Sequence, residues 1–309
     1  MNTELQKFSI QNPKMEDAQE IMDLIALCDI EEIGVPDITL SDIIDMWNSI
    51  KIETDAWVVL TTNNKIVGYA FLEMTGEDRM DTCIFVHPDN KNLGIGSLLL
   101  TKVEERAVML AKGRKGDQKL MNQIPFTNAK ARKLVEERGY QFSRLYKRMV
   151  IKLDEQPIMP NLVAGLTISS FQPDKDEETL FEIYDETFRD SWGYSKKNFS
   201  EWIIQKKGEY YDPNLWYIVW NNSQPVAFLM SRMQDDGLFI DLLGVKRTWR
   251  RQGIGEVMLL HVFHEAYQAG QRTILLYVDS DSLTNAHSLY KRVGMTPDSQ
   301  TAVYLKELS

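Results

Sequence analysis

The sequence predicts an α+β protein of two tandem domains, each with a mixed, mostly antiparallel sheet flanked by helices. The first observation is a repeat, because residues 86–96 and residues 245–255 carry the same landmarks 159 positions apart. In both, an apolar strand ends at a valine, a basic residue follows, and a Gly-x-Gly turn opens an apolar helix. The second is length, since 309 residues suit two domains of about 150 residues. The third is element order, with hairpin-linked strands before helix-linked strands in each half.

Hydrophobic periodicity and turn residues define the elements of the first half. Apolar residues at helical spacing mark the helices, of which one is capped by Ser41 and another is ended by Gly139. Asn63-Asn64 is a hairpin signal between two strand-like runs. The predicted strands cover 8–11, 56–61, 66–72, 81–86, 120–124 and 145–152, and the predicted helices cover 15–27, 41–47, 96–111 and 127–138.

The second half repeats this order after a segment without periodicity. Residues 154–165 contain Pro157, Pro160 and Gly165 and are interpreted as a linker between an N-terminal domain, 1–153, and a C-terminal domain, 166–309. The predicted strands cover 166–170, 216–220, 225–233, 238–245, 273–278 and 302–305, and the predicted helices cover 177–189, 195–207, 254–269 and 283–293.

Composition restricts the classes of function. The net charge of −10 argues against binding of nucleic acid or acidic membranes in general. The sequence has neither the roughly 18-residue apolar run of a membrane helix nor a signal-peptide core near Met1. Cys28 and Cys83 form no C-x-x-C pair, which favours a reducing cytoplasm. His261 and His264 share a helix face without an evident third ligand, so no metal site is predicted.

The glycine turns have a chemical consequence. The first four N–H groups of a helix lack partners within it, and the helix dipole adds about half a positive charge there. Glycine lets a ligand approach the backbone, and Lys91 or Arg250 adds a formal charge. These features together predict a pyrophosphate site, with an ordinary strand-to-helix turn as the alternative.

The details of the turn indicate which phosphate ligand it binds. A dinucleotide fingerprint needs a third glycine where Leu99 and Met258 stand, and the Gly-Lys-Ser/Thr of a P-loop is absent. A basic residue, two spacers and Gly-x-Gly after a strand ending in valine resembles the acetyl-CoA loop of the GNAT N-acetyltransferase family. Residues 286–295, with their Ala, Leu-Tyr and Gly-Met, resemble the next motif of that family. Two such domains in tandem are also similar in architecture to the mycothiol synthase group.

The resemblance implies transfer of an acetyl group from acetyl-CoA to an amine, without a metal. It assigns protonation of the departing thiolate to Tyr290. A phenol suits this role because its pKa is about 10, so it is protonated at neutral pH. The alternative for Tyr290 is a core aromatic. The backbone near Leu243 would hold the pantetheine arm, and the amides of the turn would hold the pyrophosphate. The implied cofactor-binding residues of this half are Leu243, Val245, Arg250, Arg251, Gln252, Gly253, Ile254, Gly255, Glu256, Ser282 and Asn285.

A general base is harder to identify from the sequence. By the period-two rule, Asp241 shares a strand face with Leu243 and Val245, and a carboxylate among apolar residues has a raised pKa. A solvent-facing position is the alternative. Asp279 is the second candidate, and a water relay without a dedicated base is the third. The aromatic residues predicted to flank the acceptor side, or to pack in the core, are Trp192, Tyr194 and Trp249.

The N-terminal copy keeps binding residues and loses the proton donor. Its implied cofactor-binding residues are Lys91, Gly94, Ile95, Gly96 and Asn128, whereas Val135 stands where the tyrosine would be. This predicts a degenerate, non-catalytic domain.

These inferences predict a cytoplasmic N-acetyltransferase that moves the acetyl group of acetyl-CoA to a small-molecule amine by direct attack, with its active site in the C-terminal half. One alternative is a non-enzymatic CoA-binding sensor or scaffold, and another is an N-acetyltransferase of proteins or peptides. No nucleic-acid or membrane partner is predicted. The sequence leaves the oligomeric state and the identity of the amine open.

Overall fold

The described part of the chain forms strands and α-helices and comprises residues 7–36, 38–162, 164–194, 196–208, 210–234, 236–280 and 286–308 of a computed structural model. The strands, in chain order, are β1 (Phe8–Gln11), β2 (Ala56–Thr61), β3 (Ile66–Phe71), β4 (Glu73–Met74), β5 (Arg79–Thr82), β6 (Ile84–Val86), β7 (Gln118–Pro125), β8 (Gln141–Lys152), β9 (Leu166–Ser170), β10 (Trp216–Asn221), β11 (Gln224–Gln234), β12 (Gly237–Val245), β13 (Thr273–Asp279) and β14 (Thr296–Leu308). The α-helices are α1 (Ala18–Ile33), α2 (Leu40–Ser49), α3 (Ile52–Asp55), α4 (Ile95–Ala111), α5 (Ala129–Glu137), α6 (Glu177–Phe188), α7 (Phe199–Lys206), α8 (Ile254–Gln268) and α9 (Ala286–Arg292).

The elements form two units whose limits differ from the order of the chain. Unit 1 comprises Met1–Leu145 and Ser299–Ser309, and unit 2 comprises Tyr146–Asp298. Strand β14 pairs antiparallel with β7 in unit 1. Strand β8 pairs antiparallel with β13 in unit 2. Each unit is therefore completed by a strand from the other half of the sequence, and residues 154–165 lie within unit 2.

The sheets are mixed and mostly antiparallel. Unit 1 has an antiparallel sheet of order β1-β2-β3-β6 and a second set, β4-β5-β7-β14, in which β5 and β7 are parallel. Unit 2 has the order β8-β13-β12-β11-β10-β9, in which β12 and β13 are parallel. This confirms the predicted fold class, mixed sheets flanked by helices.

Helices cover both faces of the sheet in unit 2. On one face, α8 buries Met258 and Phe263 against a cluster that includes Ile240 of β12. On the other face, α7 buries Trp202 in a second cluster with Phe228 of β11. Full burial of each such side chain contributes about 1.5–3 kcal/mol, so the sheet is fixed between two apolar layers. No α-helix of the described ranges is both long enough and apolar enough to span a membrane.

Two strands differ from their predicted extents for reasons of pairing. The strand predicted at 81–86 is divided at Cys83, because β5 pairs with β7 while β6 pairs with β3. The last strand extends well beyond the predicted 302–305. Its ladder to β7 supplies hydrogen bonds to polar residues on either side of the apolar stretch.

Candidate active site

The sheet of unit 2 opens between its two parallel strands. The ladder joins β12 to β13 only at Leu238 with Ile274 and at Phe239 with Leu275. Beyond Phe239, β12 continues to pair with β11, and β13 continues to pair with β8. Residues 240–245 of β12 therefore face a wedge, where no ladder pair connects them to β13 within the described residues. Backbone groups along such an edge are available to pair with an extended ligand.

A β-bulge lies at the beginning of this wedge. Met230 is opposite Leu242, but the next residue of β11, Ser231, is opposite Ile240, so Asp241 has no residue opposite it. An extra residue on one strand bends that strand and shifts its alternation. Leu243 accordingly packs with the α8 cluster, whereas Leu242 packs with the α7 cluster.

The bulge corrects one sequence-based expectation. Asp241 lies beside Arg232 of β11, with Arg232 Nε 3.3 Å from Asp241 Oδ1. It does not share the face of Leu243 and Val245, so the period-two expectation is wrong here, because the bulge interrupts the alternation. Burial raises the pKa of Asp241, and the charges of Arg232 and Lys206 oppose that rise. The predicted role of Asp241 as a base remains a prediction.

The glycine turn follows β12 and lies at the open end of the wedge. After a single 3-10 turn at Arg247–Trp249, Arg251 has φ 64° and Gly253 has φ 80°, and α8 begins at Ile254. A left-handed residue at the N-cap reverses the chain, so α8 and its first backbone amides begin a short turn after the end of β12. A Cβ atom at Gly255 would stand 3.1 Å from Leu289 Cδ2 and 3.9 Å from Leu243 Cδ2 and Val245 Cγ2. Any side chain there would crowd the wedge.

Arg250 holds the turn through main-chain oxygens. Its Nε donates to the carbonyl of Val245 at 3.0 Å, and its Nη2 donates to the carbonyl of Thr187 in α6 at 3.2 Å. Burial, together with the nearby charge of Arg247, lowers the pKa of Arg250. Among the described residues no carboxylate forms an ion pair with this guanidinium; Glu186, which acts on it electrostatically, is paired with Lys246.

Tyr290 is a buried phenol next to the turn. It lies on α9, is 8% exposed and belongs to the core cluster under α8. Its neighbour Leu289 is the residue closest to the Cβ position of Gly255. Burial raises the pKa of Tyr290 to about 12, so the hydroxyl keeps its proton throughout the neutral range.

The other predicted cofactor residues of unit 2 occupy three settings. Gln252 Nε2 donates to the carbonyl of Thr248 at 3.3 Å, and Ile254 is buried in the core. Glu256 Oε2 accepts from Arg292 Nε at 3.2 Å, which offsets its charge at the helix N-terminus. Ser282 and Asn285 lie outside the described residues.

The remaining chemical candidates are held in structural contacts. Trp249 packs against the α8 cluster, and the hydroxyl of Tyr194 donates to Asp185. His264 Nδ1 lies 2.8 Å from the carbonyl oxygen of Pro157, and the ring of His261 packs edge-on against Tyr217. The described residues contain no group of three or more His, Cys, Asp or Glu side chains that could hold a metal.

Unit 1 repeats the backbone of the turn. A 3-10 turn at Pro88–Asn90 is followed by Asn92 with φ 66° and Gly94 with φ 89°, and α4 begins at Ile95. Each landmark again lies 159 positions before its counterpart. Gly96 is less confined than Gly255, since its nearest neighbours would lie 3.8 Å from a Cβ atom.

The side chains around the turn in unit 1 are acidic. Lys91 Nζ donates to Glu31 and lies 3.3 Å from Glu32 Oε1. Asn128 Nδ2 also donates to Glu32 Oε1, at 2.8 Å, and Thr127 Oγ1 donates to Glu32 Oε2 at 3.1 Å. Burial acts to lower the pKa of Lys91, but the two carboxylates raise it overall. One carboxylate thus contacts both polar side chains that the sequence assigned to cofactor binding here.

Sequence reasoning missed Glu32, Arg232 and Lys206. Glu32 lies at the end of α1, far in sequence from the residues it contacts, and a pattern of helix periodicity carries no signal for that contact. Arg232 could have been identified from the hairpin register, because it pairs directly with Phe239. Lys206 ends α7 and had no signal beyond its charge.

Comparisons with known proteins identify the family of both halves. Residues 177–295 match the model described as "Acetyltransferase (GNAT) family", and residues 53–142 match the one described as "Acetyltransferase (GNAT) domain". The chain is similar to a mycothiol acetyltransferase of Catenulispora acidiphila, at 22% identity over 82% of each chain. It is also similar to a mycothiol acetyltransferase of Corynebacterium glutamicum, at 23% identity over 81% of each chain.

Solved structures cover nearly the whole chain. A GCN5-related N-acetyltransferase from Sphaerobacter thermophilus has 27% identity and a TM-score of 0.86, over 98% of this chain and 96% of that one. A tandem GNAT protein from the clavulanic acid biosynthesis pathway has 14% identity and a TM-score of 0.75, over 98% and 99% of the two chains. The second likeness concerns the fold alone.

The acidic setting of the turn in unit 1 gives a testable prediction. We expect that Glu31→Gln with Glu32→Gln increases the CoA affinity of unit 1 by about tenfold or more, because Lys91 and Asn128 become free for charge-assisted hydrogen bonds. Calorimetry with CoA measures this in a Gly255→Val background, which blocks the turn of unit 2. The control is Glu16→Gln with Glu137→Gln, which removes two exposed carboxylates of the same unit. Equal CoA affinity in the two double variants would contradict the prediction.

Proposed function

We propose that this chain, which belongs to the GNAT acetyltransferase family, transfers the acetyl group of acetyl-CoA to an amine of a small molecule at the wedge of unit 2. The two family matches and the acetyltransferase relatives support the acyltransferase class. The observation that carries the proposal is the combination of an open strand edge, a glycine turn at its end and a buried phenol beside that turn.

The wedge offers a CoA thioester a strand edge, helix amides and space for the pyrophosphate. The free edge of β12 near Leu243 and Val245 would pair with the amides of the pantetheine arm. The first amides of α8, from Ile254 onward, would hold the pyrophosphate, with the positive charge of Arg250 close by. The absence of a side chain at Gly255 leaves room for this approach, because a Cβ atom would lie 3.1 Å from Leu289.

The chemistry follows from the protonation states of two groups. The neutral amine attacks the thioester carbonyl, and the C–S bond of the tetrahedral intermediate then breaks to release the CoA thiolate. Tyr290, protonated because burial raises its pKa to about 12, would give its proton to that thiolate. Asp241, at the bulge, would take the proton from the amine directly or through water. Asp279 and a water relay stay as alternative bases.

Unit 1 is proposed to be a non-catalytic partner. Val135, which is buried, follows Leu134 and precedes Gly139 as Tyr290 follows Leu289 and precedes Gly294, so the unit lacks the proton donor at that place in the motif. The polar side chains near its turn are engaged by Glu32. The acceptor could instead be a protein or peptide amine, and a CoA-binding sensor is the non-enzymatic alternative. Release of CoA thiol with a panel of amines distinguishes the enzyme from the sensor.

We expect Gly255→Val to abolish turnover and Gly96→Val to spare most of it. The side chain at residue 255 would occupy the space between Leu289 and β12, whereas residue 96 belongs to the turn of the proposed non-catalytic unit. Both variants are assayed for thiol release at saturating acceptor, with circular dichroism to check folding. Equal loss of activity in the two would show that the turn of unit 1 is as necessary as that of unit 2.

Tyr290→Phe tests the proton donor, since it keeps the ring and removes the hydroxyl. We expect kcat to fall by about 10²–10⁴-fold, the range typical of general acid–base catalysis, with little change in CoA binding. Single-turnover measurements isolate the chemical step. A variant with full kcat while chemistry limits turnover would exclude this role.

Asp241→Asn tests the base through the pH dependence of kcat/KM. A carboxylate acts as a base only above its own pKa, which burial raises here, and it is needed only while the amine is still protonated. The loss of activity should therefore be greatest above the pKa of Asp241 but well below the pKa of the amine, and it should decrease as pH approaches the pKa of the amine. An unchanged pH–rate profile would leave Asp279 or water as the base.

A further inference from the structure

The acyl end of a ligand in the wedge can be located from the ends of β12. The turn at Gly253 and Gly255 follows Val245, so the pyrophosphate end lies there. From Val245 back to Ile240 a strand extends about 17 Å, at about 3.4 Å per residue. The thioester would thus approach the closed end of the wedge, where Phe239 and Leu275 form the last ladder pair between β12 and β13.

A cationic and aromatic cluster surrounds that closed end. Arg232 is the ladder partner of Phe239 on the neighbouring strand, and its guanidinium carbon lies 5.2 Å from the centre of the Phe239 ring. The same carbon lies 5.9 Å from the centre of the Tyr210 ring. The Tyr277 ring, 41% exposed on β13, lies 5.9 Å from that of Phe239. These side chains come from the two strands that flank the wedge, from the neighbouring strand β11 and from the segment after α7.

Arg232 has a donor that the described side chains do not use. Its Nε is buried and makes no hydrogen bond within the described ranges, although it lies 3.3 Å from Asp241 Oδ1, because the geometry is poor. A guanidinium has five N–H donors in a fixed fork that matches a carboxylate or a phosphate. The side chain is 34% exposed, so part of the guanidinium is accessible to a ligand although Nε is buried.

Lys206 adds a second cation to the cluster. It ends α7, the helix whose Trp202 packs in one cluster with Met230 of β11 and Leu242 of β12. The charges of Asp241, Lys197 and Arg232 act on its ammonium group there. Burial lowers the pKa of Lys206, and Asp241 partly opposes this effect. Lys197 donates to the neutral Gln205 at 2.6 Å, so its charge also remains. The groups named here comprise three cations and one carboxylate, in a chain whose net charge is −10.

We propose that the acceptor is an amine that also carries an anionic group, which Arg232 and Lys206 bind while the amine faces the thioester and Asp241. This rests on the proposed function and specifies its substrate class. An uncharged amine would leave the cationic excess beside the wedge without a partner. An anionic group would use the free donors of Arg232 and would leave Asp241 available to the amine.

Matched pairs of acceptors test the substrate class. One pair is an α-amino acid and its amide, and the other is phosphoethanolamine and ethanolamine, so the two pairs distinguish a carboxylate from a phosphate. We expect kcat/KM for thiol release to be about 10- to 100-fold higher for the anionic member of at least one pair, the effect of one or two charge-assisted hydrogen bonds. Equal rates within both pairs would overturn the substrate class but leave the proposed function intact. Thiol release with no amine at all would overturn both.

Variants of the two cations test the residues. Arg232→Gln and Lys206→Gln should each lower the ratio of kcat/KM between the anionic and the neutral member of a pair by about tenfold or more. Arg232→Lys should restore part of the preference, because it keeps the charge. Lys175→Gln is the control, since Lys175 is exposed and bonded to Gln172.

The ratio of kcat/KM between the two acceptors of a pair distinguishes recognition of the anionic group from an indirect effect on the base. Arg232 also opposes the raised pKa of Asp241, so its loss could slow the reaction with every acceptor. Such an effect would shift the pH profile equally for both members and leave their ratio unchanged. An unchanged ratio in Arg232→Gln would therefore overturn the assignment of Arg232 to anion binding.

Discussion

The separation of β12 from β13 determines what unit 2 can bind. Two strands that stop pairing leave buried or half-buried N–H and C=O groups without partners, at a cost of about 1–3 kcal/mol for each unsatisfied group. The bulge at Asp241 bends β12 at the start of the wedge, and Arg250 satisfies the carbonyl of Val245 at its end. Both devices fix the opening, so an extended ligand with its own amides finds an edge that is already in place.

The parts of the site that require a special backbone were visible in the sequence. A left-handed residue before a helix favours glycine, so Gly94 and Gly253 marked both turns. The strand–turn–helix context predicted the start of α8 correctly and that of α4 to within one residue. The proposed proton donor, Tyr290, could be named only because the residues around it resemble a family motif. Periodicity alone would have placed it in the core, where it does lie.

Features that depend on distant partners could not be predicted. The bulge at Asp241 is hidden because Ile240, Leu242 and Leu243 are all apolar, so the run reads equally well with or without an extra residue. The exchange of β8 and β14 between the units depends on which strands they pair with. The alternating pattern of an amphipathic strand does not indicate its pairing partner. Glu32 reaches Asn128 across most of unit 1 in sequence, which no local pattern records.

The two turns show that backbone geometry and charge can diverge independently after duplication. A chain of net charge −10 repels anions at long range, but salt screens such fields beyond about 8 Å at physiological ionic strength. What an anionic ligand meets is therefore decided by the side chains next to each turn. In unit 1 those side chains include Glu31 and Glu32, whereas in unit 2 Arg250 is bonded to carbonyls and keeps its charge. Under the proposed function, the same dihedral angles would create a binding site in one unit and only a stable strand-to-helix turn in the other.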